Sequence, residues 1–493
     1  MKQYTAFKQG LDSIFVEQSA LAQQACYAIG IILSKAISLF LLPFVAGQLG
    51  LIEFARLETI IALLNGAAIV VSFGMVNLLY RQAGEAKDRS AKKRIVASLF
   101  GTTLCIAALI GGGVFLSFSI SLPLINQITP LSASELILCT LIMSLEGIIG
   151  LCLAWLRMEE KAFIFLRSML MRTLVYSLLT VIGLSLGYGL TFLLFASLAA
   201  SLIQASELIV HQLKSSGVRF DAKALWHTLQ YGWPFVLSGF AMYASQGMEV
   251  VILAQYTSPE LLAAYAIAIK FFLIAALCNQ PYLLWWYARR MNVLSNPHAL
   301  RSAGTGATLG VLIAMASSLL VWLWSEWLIL HLFDPAILQA MNFLPWLLAA
   351  GVLKQWGALY NLGCFSSENS RIQMYIELGT GAFCVICFPV LISSYGVHGA
   401  LLTFVISQLG RLVAYWFVSQ HVLYIAYPLG LLVKGALGLT SILLITLMTS
   451  TTLNTVITNT KFTFWIMFSV ALCASIACLV WVVKLGRPYA KTL

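Results

Sequence analysis

The sequence predicts an all-α polytopic membrane protein of about 14 transmembrane helices: two pseudo-symmetric six-helix bundles around a central cavity, followed by two C-terminal helices. Three observations carry this prediction. Of 493 residues, 60% are hydrophobic and only 10% are charged, with mean hydropathy +0.92, where a soluble domain carries about 25% charged residues. Apolar runs of the roughly 20 residues needed to cross a bilayer core follow one another along nearly the whole chain. Lysine and arginine alternate loop by loop, so the net charge of +11 records topology and not a nucleic-acid face.

Read against polar breaks, the expected spans are 23–49, 57–80, 95–119, 131–156, 163–186, 190–213, 231–256, 261–288, 303–327, 337–364, 372–393, 397–421, 428–451 and 462–484. The polar start Met1-Lys-Gln-Tyr-Thr-Ala-Phe-Lys8 and the lack of an Ala-x-Ala-like site make the first span its own insertion signal. Alternate loops hold Arg81, Lys87, Arg89, Lys92, Lys93 and Arg94, then Arg157 and Lys161, then Lys214, Arg219 and Lys223, then Arg289, Arg290 and Arg301, then Arg371. The termini add Lys2, Lys8, Lys484, Arg487 and Lys491, whereas the opposite loops hold Arg56 and Lys461. Cations stay on the cytoplasmic side, so both termini are expected there, with Trp285-Trp286-Tyr287 as an interfacial aromatic anchor. The opposite loops at 187–190, 256–260 and 394–397 are turns that leave no room for an extracytoplasmic catalytic domain, and no enzymatic activity is expected.

Other features are read as packing. Cys384-Val-Ile-Cys387 lies in an apolar span with no second ligand pair, so neither a metal nor a cofactor is expected. Pro43, Pro281, Pro345 and Pro389 offer bends. Gly111-Gly-Gly113, Gly183 with Gly187, and Gly306 with Gly310 allow helices to approach closely. No G-x-x-x-x-G-K-[ST] segment occurs, which argues against ATP hydrolysis by this chain.

The link at 214–230 divides the chain into a bundle of helices 1–6 (residues 1–213), a second of helices 7–12 (231–425), and helices 13–14 with a cytoplasmic tail (426–493). Span one ends Gln48-Leu-Gly-Leu-Ile-Glu53 and span seven ends Gln255-Tyr-Thr-Ser-Pro-Glu260; each is followed by a span running to an arginine, Arg81 or Arg289. A parallel repeat of this kind suits alternating access around a central cavity.

The informative residues are charges inside the spans. Lys35 stands about 18 Å from either end of an apolar helix, where an ammonium costs about 2.5–3.5 kcal/mol and normally faces a partner or a watery cavity. Lys270, Lys354, Arg411 and Arg172 repeat the pattern. All five are candidate ligands for an anionic substrate, with ion pairing that merely orders the bundle as the plainer reading, for Lys35 and Lys270 through Glu146 or Glu249. Lys354 and Arg411 lie nearer the cytoplasmic ends, where such side chains snorkel, and Arg167 is expected to do the same. Glu146 and Glu249 are the candidates for ion coupling, since burial raises a carboxyl pKa into the working range. Glu207 and Glu377 are expected to reach solvent at helix ends.

Two stretches resemble the polysaccharide transporter (lipid-linked oligosaccharide flippase) branch of the multidrug/oligosaccharidyl-lipid/polysaccharide exporter superfamily. The first is Lys35-Ala-Ile-Ser-Leu-Phe-Leu-Leu-Pro43 through Leu49-Gly50-Leu-Ile-Glu53-Phe54-Ala55, continuing to Ser72-Phe-Gly74-Met-Val-Asn77-Leu-Leu-Tyr-Arg81. The second is Gln230-Tyr-Gly-Trp-Pro234 through Ser238, with Tyr265-Ala-Ile-Ala-Ile-Lys270. Phe54-Ala55 replaces the family's Tyr-Gly, and Glu249-Val250 stands where many relatives carry Asp-Arg. The resemblance implies a flippase in the bacterial inner membrane that moves a polyprenyl-diphosphate-linked glycan to the periplasmic leaflet. It further implies central-cavity cations on the first and eighth helices, where Lys35 and Lys270 lie. The partners so implied are the lipid-linked glycan, the bilayer and other polysaccharide-assembly membrane proteins, and no nucleic acid.

Two competing readings are weaker on the residues. An ion-coupled exporter of organic cations would favour an acidic group at mid-depth of the first helix, where Lys35 stands, and a glycan polymerase or ligase would need a charged periplasmic loop. The charge pattern yields a direct expectation: a green fluorescent protein fused after Leu493 fluoresces, and an alkaline phosphatase fused at the same position stays inactive.

Overall fold

The computed structural model describes residues 2–86, 88–116, 122–123, 125–294, 300–366, 371–456 and 460–486. Lys87, Arg487 and Lys491 lie outside the described residues, as do the side chains of Lys2, Lys8, Lys223, Trp285, Arg289, Arg290, Arg301, Arg371 and Lys461. The described residues are helices joined by turns, with no strand among them. They contain 11 helices long and apolar enough to cross a membrane, or 12 if a bent pair counts as one span. One of the 11 is a 60-residue stretch, Cys26–Glu85. At about 1.5 Å per residue it is about three bilayer cores long, and it breaks at Gly50. Counting that stretch as two spans and adding the last helix brings the total to about 14.

The chain divides into two compact units, Met1–Phe240 and Ala241–Leu493. The first contains α1 (Lys2–Ser72), α2 (Met75–Glu85), α3 (Arg89–Leu116), α4 (Ala133–Met158), α5 (Ala162–Ser185) and α6 (Leu190–Ser215), and the boundary falls within α7 (Ala222–Ser245). The turn of α1 at Gly50 follows from its contacts. Tyr27 packs edge-on against Phe165 at the start of α5, with ring centroids 5.1 Å apart. Arg56 meets Glu135 at the start of α4, and Val71 meets Gly147 in its middle. Because α4 and α5 are consecutive and antiparallel, their N-termini mark opposite ends of the unit. The chain therefore runs along α5 before Gly50 and returns along α4 after it. Gly50 has φ +75°, a conformation that favours glycine.

The core of this unit joins Met75, Leu79, Phe100, Ile149, Leu151 and Trp155. At one end Arg56 bridges Glu53 and Glu135, while Glu135 also closes a capping box with Ser132 and accepts a hydrogen bond from Thr191 (3.1 Å). At the other end Lys161 and His211 converge on Glu159 (3.1 and 3.4 Å) and Trp155 donates to Ser215 (2.8 Å). There the link after α6 lies on α3, its Arg219 N–H donating to the Ala97 carbonyl at 3.0 Å.

The second unit contains α8 (Met248–Tyr256), α9 (Pro259–Leu294), α10 (Leu300–Leu332), a 3-10 turn (Pro335–Gln339), α11 (Ala340–Tyr360), α12 (Leu362–Ser366), α13 (Arg371–Tyr395), α14 (Val397–Val422), α15 (Leu429–Val456) and α16 (Thr460–Gly486). The helices α15 and α16 pack on each other and on α10. The turn into α15 is held by Tyr427, stacked on Tyr360 at 3.9 Å and donating to the Tyr360 carbonyl.

Three expectations need correction. The span expected over 57–80 is interrupted at Phe73–Gly74, and that over 231–256 at Gln246–Gly247, where α7 and α8 meet at 48°. The four prolines lie inside continuous helices, and the interruptions expected at prolines sit instead at glycines of positive φ, Gly74 (+67°) and Gly247 (+136°). Neighbouring membrane helices absorb a proline, whereas a left-handed residue ends the helical hydrogen-bond ladder. Trp286, expected in an interfacial belt, is 1% exposed and packs against Gly306. A glycine is equally needed at Gly101, where a Cβ would collide with the Arg219 carbonyl, whereas nothing lies within 4 Å of Gly112. Gly101→Ala is expected to destabilise the purified protein by about 1–3 kcal/mol, read as a lower Tm in detergent, with Gly112→Ala unchanged.

Candidate functional site

Each unit holds one in-span arginine–glutamate pair in a polar knot tied across three helices. In the first unit, Arg172 of α5 pairs with Glu146 of α4 through close contact of Nη2 with Oε1, and its Nη1 donates to Glu146 Oε2 (3.4 Å) and to Gln204 Oε1 of α6 (3.3 Å). Gln204 is fully buried and returns its amide to the carbonyl and hydroxyl of Ser168 (3.3 and 3.2 Å). The ion pair itself stays accessible, with 28% of the Arg172 side chain and 31% of Glu146 exposed. Glu146 thus neutralises Arg172. Lys35 is exposed on α1 and has no hydrogen-bond or ion-pair partner among the described residues.

In the second unit, Arg411 of α14 donates through Nε to Glu377 Oε1 of α13 (2.9 Å) and through Nη1 to the Lys354 carbonyl of α11 (3.2 Å). Tyr415 donates to the same carboxylate oxygen at 2.7 Å and places its ring under the guanidinium. Glu377, expected at solvent, is only 17% exposed, because α14 brings an arginine and a tyrosine onto it. Arg411 is 12% exposed and does not snorkel. The Arg167 side chain is 58% exposed and pairs with Glu207 (2.9 Å), which was expected at solvent and is 17% exposed.

Lys354 donates to Gln246 Oε1, at the break between α7 and α8. Glu249 opens α8, is 4% exposed, and accepts the Gly247 N–H. Positive charge from Lys354 reaches it. The carboxylate therefore caps a helix start created by the break, where the helix dipole favours an anion. Lys270 is half-buried on α9. A fully buried Asn279 contacts Gln355 of α11 in the same unit. Gln204, Gln246, Asn279 and Gln355 escaped sequence reasoning because an uncharged amide inside a span gives no signal above ordinary polar substitution.

No protein-family model and no curated protein matches the chain. Solved structures do. The chain is similar to the lipid II flippase MurJ in an inward closed conformation, with TM-score 0.73 and 13% identity over 94% of this chain and 99% of that one. It is also similar to an inward-facing MATE-family multidrug resistance transporter of the MOP superfamily (TM-score 0.60, 13% identity, 79% and 94% covered). A third similar structure is the MATE multidrug transporter DinF-BH (TM-score 0.57, 14% identity, 83% and 97% covered). The chain has the fold of these transporters.

The second knot can be tested as a unit. Arg411→Met and Glu377→Leu are each expected to cost about 3–5 kcal/mol, because either leaves a buried charge without its partner. The double variant is expected to lose less than the sum, measured as a double-mutant cycle on the purified protein.

Proposed function

We propose that the protein is a flippase for a polyprenyl-diphosphate-linked oligosaccharide, a surface-polysaccharide repeat unit, moved from the cytoplasmic to the periplasmic leaflet by alternating access. The observation that carries this reading is Lys35: a cation at mid-depth of the first helix, exposed and without a partner among the described residues. An ammonium left in that state is stabilised by an anion that comes and goes. The shared fold with a flippase of a lipid-linked substrate, across nearly the full length of both chains, supports the same reading. Lys35 and Lys270 are assigned to the diphosphate or an acidic sugar. Lys354 and Arg411 are assigned to holding the second unit together, because their donors are engaged inside it. Under this reading the protein resides in the inner membrane with both termini cytoplasmic, works beside other polysaccharide-assembly membrane proteins, and performs no bond chemistry.

The two units are further assigned to a parallel repeat. Each ties its fourth, fifth and sixth spans by one polar knot, α4–α5–α6 in the first and α11–α13–α14 in the second.

The second reading is an ion-coupled exporter of organic cations, favoured by the likeness to multidrug transporters and by the buried carboxylate Glu249. Depletion in the host separates the two. Accumulation of lipid-linked glycan in the cytoplasmic leaflet, with loss of surface polysaccharide, is the flippase outcome. Unchanged glycans with new sensitivity to cationic compounds is the exporter outcome. In reconstituted vesicles, Lys35→Ala is expected to lower flipping by about tenfold, the loss of one charged contact. Lys35→Arg is expected to retain most activity and Lys35→Glu to abolish it.

A further inference from the structure

Gly30 and Tyr27 of α1 rest on Leu166 and Phe165 of α5: a Cβ at Gly30 would lie 3.5 Å from the Leu166 Cα, and the two rings are 5.1 Å apart. The two helices run in the same direction over this stretch. Lys35 lies about 7.5 Å further along one, and Arg172 about 9 Å further along the other. The two cations therefore stand at one depth on adjacent helices of the same unit. Lys35 has no partner among the described residues, whereas Arg172 is held by Glu146.

That ion pair is asymmetric in its surroundings. Through Nη1 the guanidinium reaches Gln204, which is fully buried and anchored on Ser168. Both Nη1 and Nη2 reach Glu146, and nearly a third of that carboxylate side chain is accessible. A pair built only to order a bundle would be enclosed like Arg411 with Glu377, at 12% and 17% exposure. An accessible pair at mid-depth opens onto a polar space, because facing acyl chains there is costly. Gln204 keeps the arginine aimed whether or not Glu146 stays, so the carboxylate is the exchangeable member.

We propose that Glu146 is an internal competitor for the substrate. Its carboxylate occupies Arg172 when the site is empty and yields the guanidinium to a phosphate of the arriving substrate, beside Lys35, with Gln204 as the positioning residue. A guanidinium takes carboxylate and phosphate with the same two-pronged geometry, so the exchange replaces one bidentate partner by another. A dianionic diphosphate that draws on both cations outcompetes a single carboxylate, whereas a neutral or cationic compound does not open the pair. The inference rests on the proposed anionic, lipid-linked substrate.

The test is equilibrium binding of a short-chain isoprenyl diphosphate to the purified full-length protein. Measurable binding by wild type, about tenfold tighter binding by Glu146→Gln and about tenfold weaker binding by Arg172→Gln are expected, the worth of one charged hydrogen bond each. The double variant is expected to match Arg172→Gln alone, since a competitor has nothing to compete for once the arginine is gone. Gln204→Leu is expected to weaken binding, with partial rescue in Gln204→Asn. If wild type binds and Glu146→Gln binds equally or more weakly, Glu146 is a structural partner and the exchange is overturned while the flippase reading stands. If neither wild type nor Glu146→Gln binds the diphosphate, both fall together.

Discussion

A charge at mid-membrane depth must find a partner or water, and this constraint organises both units. Arg172, Glu146, Arg411 and Glu377 are each introduced by a different helix and are satisfied only where those helices meet. An apolar helix pair in lipid gains little from hydrophobic association, because acyl chains are as apolar as leucine. The polar knots therefore supply register that apolar packing leaves open. In the first unit the knot joins α4, α5 and α6; in the second it joins α11, α13 and α14. Lys35 stands outside this scheme, and its exception makes it informative.

The second organising feature is where the helices break. Gly50, Gly74 and Gly247 adopt positive φ, and each redirects the chain beside a charge or a close packing contact. Gly50 turns the chain back so that Glu53 and Arg56 reach Glu135. Gly74 presses on Phe235, and Gly232 of α7 on Phe73, so this break seats α7 on the first unit's own helices. Gly247 opens α8 with an N–H that Glu249 accepts, and Lys354 holds Gln246 on the other side of the break. The likeness to MurJ and MATE transporters at 13–14% identity shows how little of such a fold depends on particular side chains.

The class, the all-helical fold and a span count of about 14 were legible in the chain alone, because hydropathy over a bilayer width is a one-dimensional property. So were the positions of Lys35, Lys270, Arg172, Glu146 and Glu249, since an ionisable residue in an apolar run is conspicuous wherever the helix goes. Partner choice came only from the packing of helices in three dimensions. Glu146 meets Arg172 and leaves Lys35 alone, Glu377 is drawn inside by Arg411 and Tyr415, and Gln204 and Gln246 become decisive without carrying charge. Trp286 likewise reads as an interfacial anchor from its neighbours in sequence and is buried against Gly306. Depth along a span is written in the chain; which way a side chain points, and what waits there, depends on the rotation of one helix against another, which the polar knots themselves set.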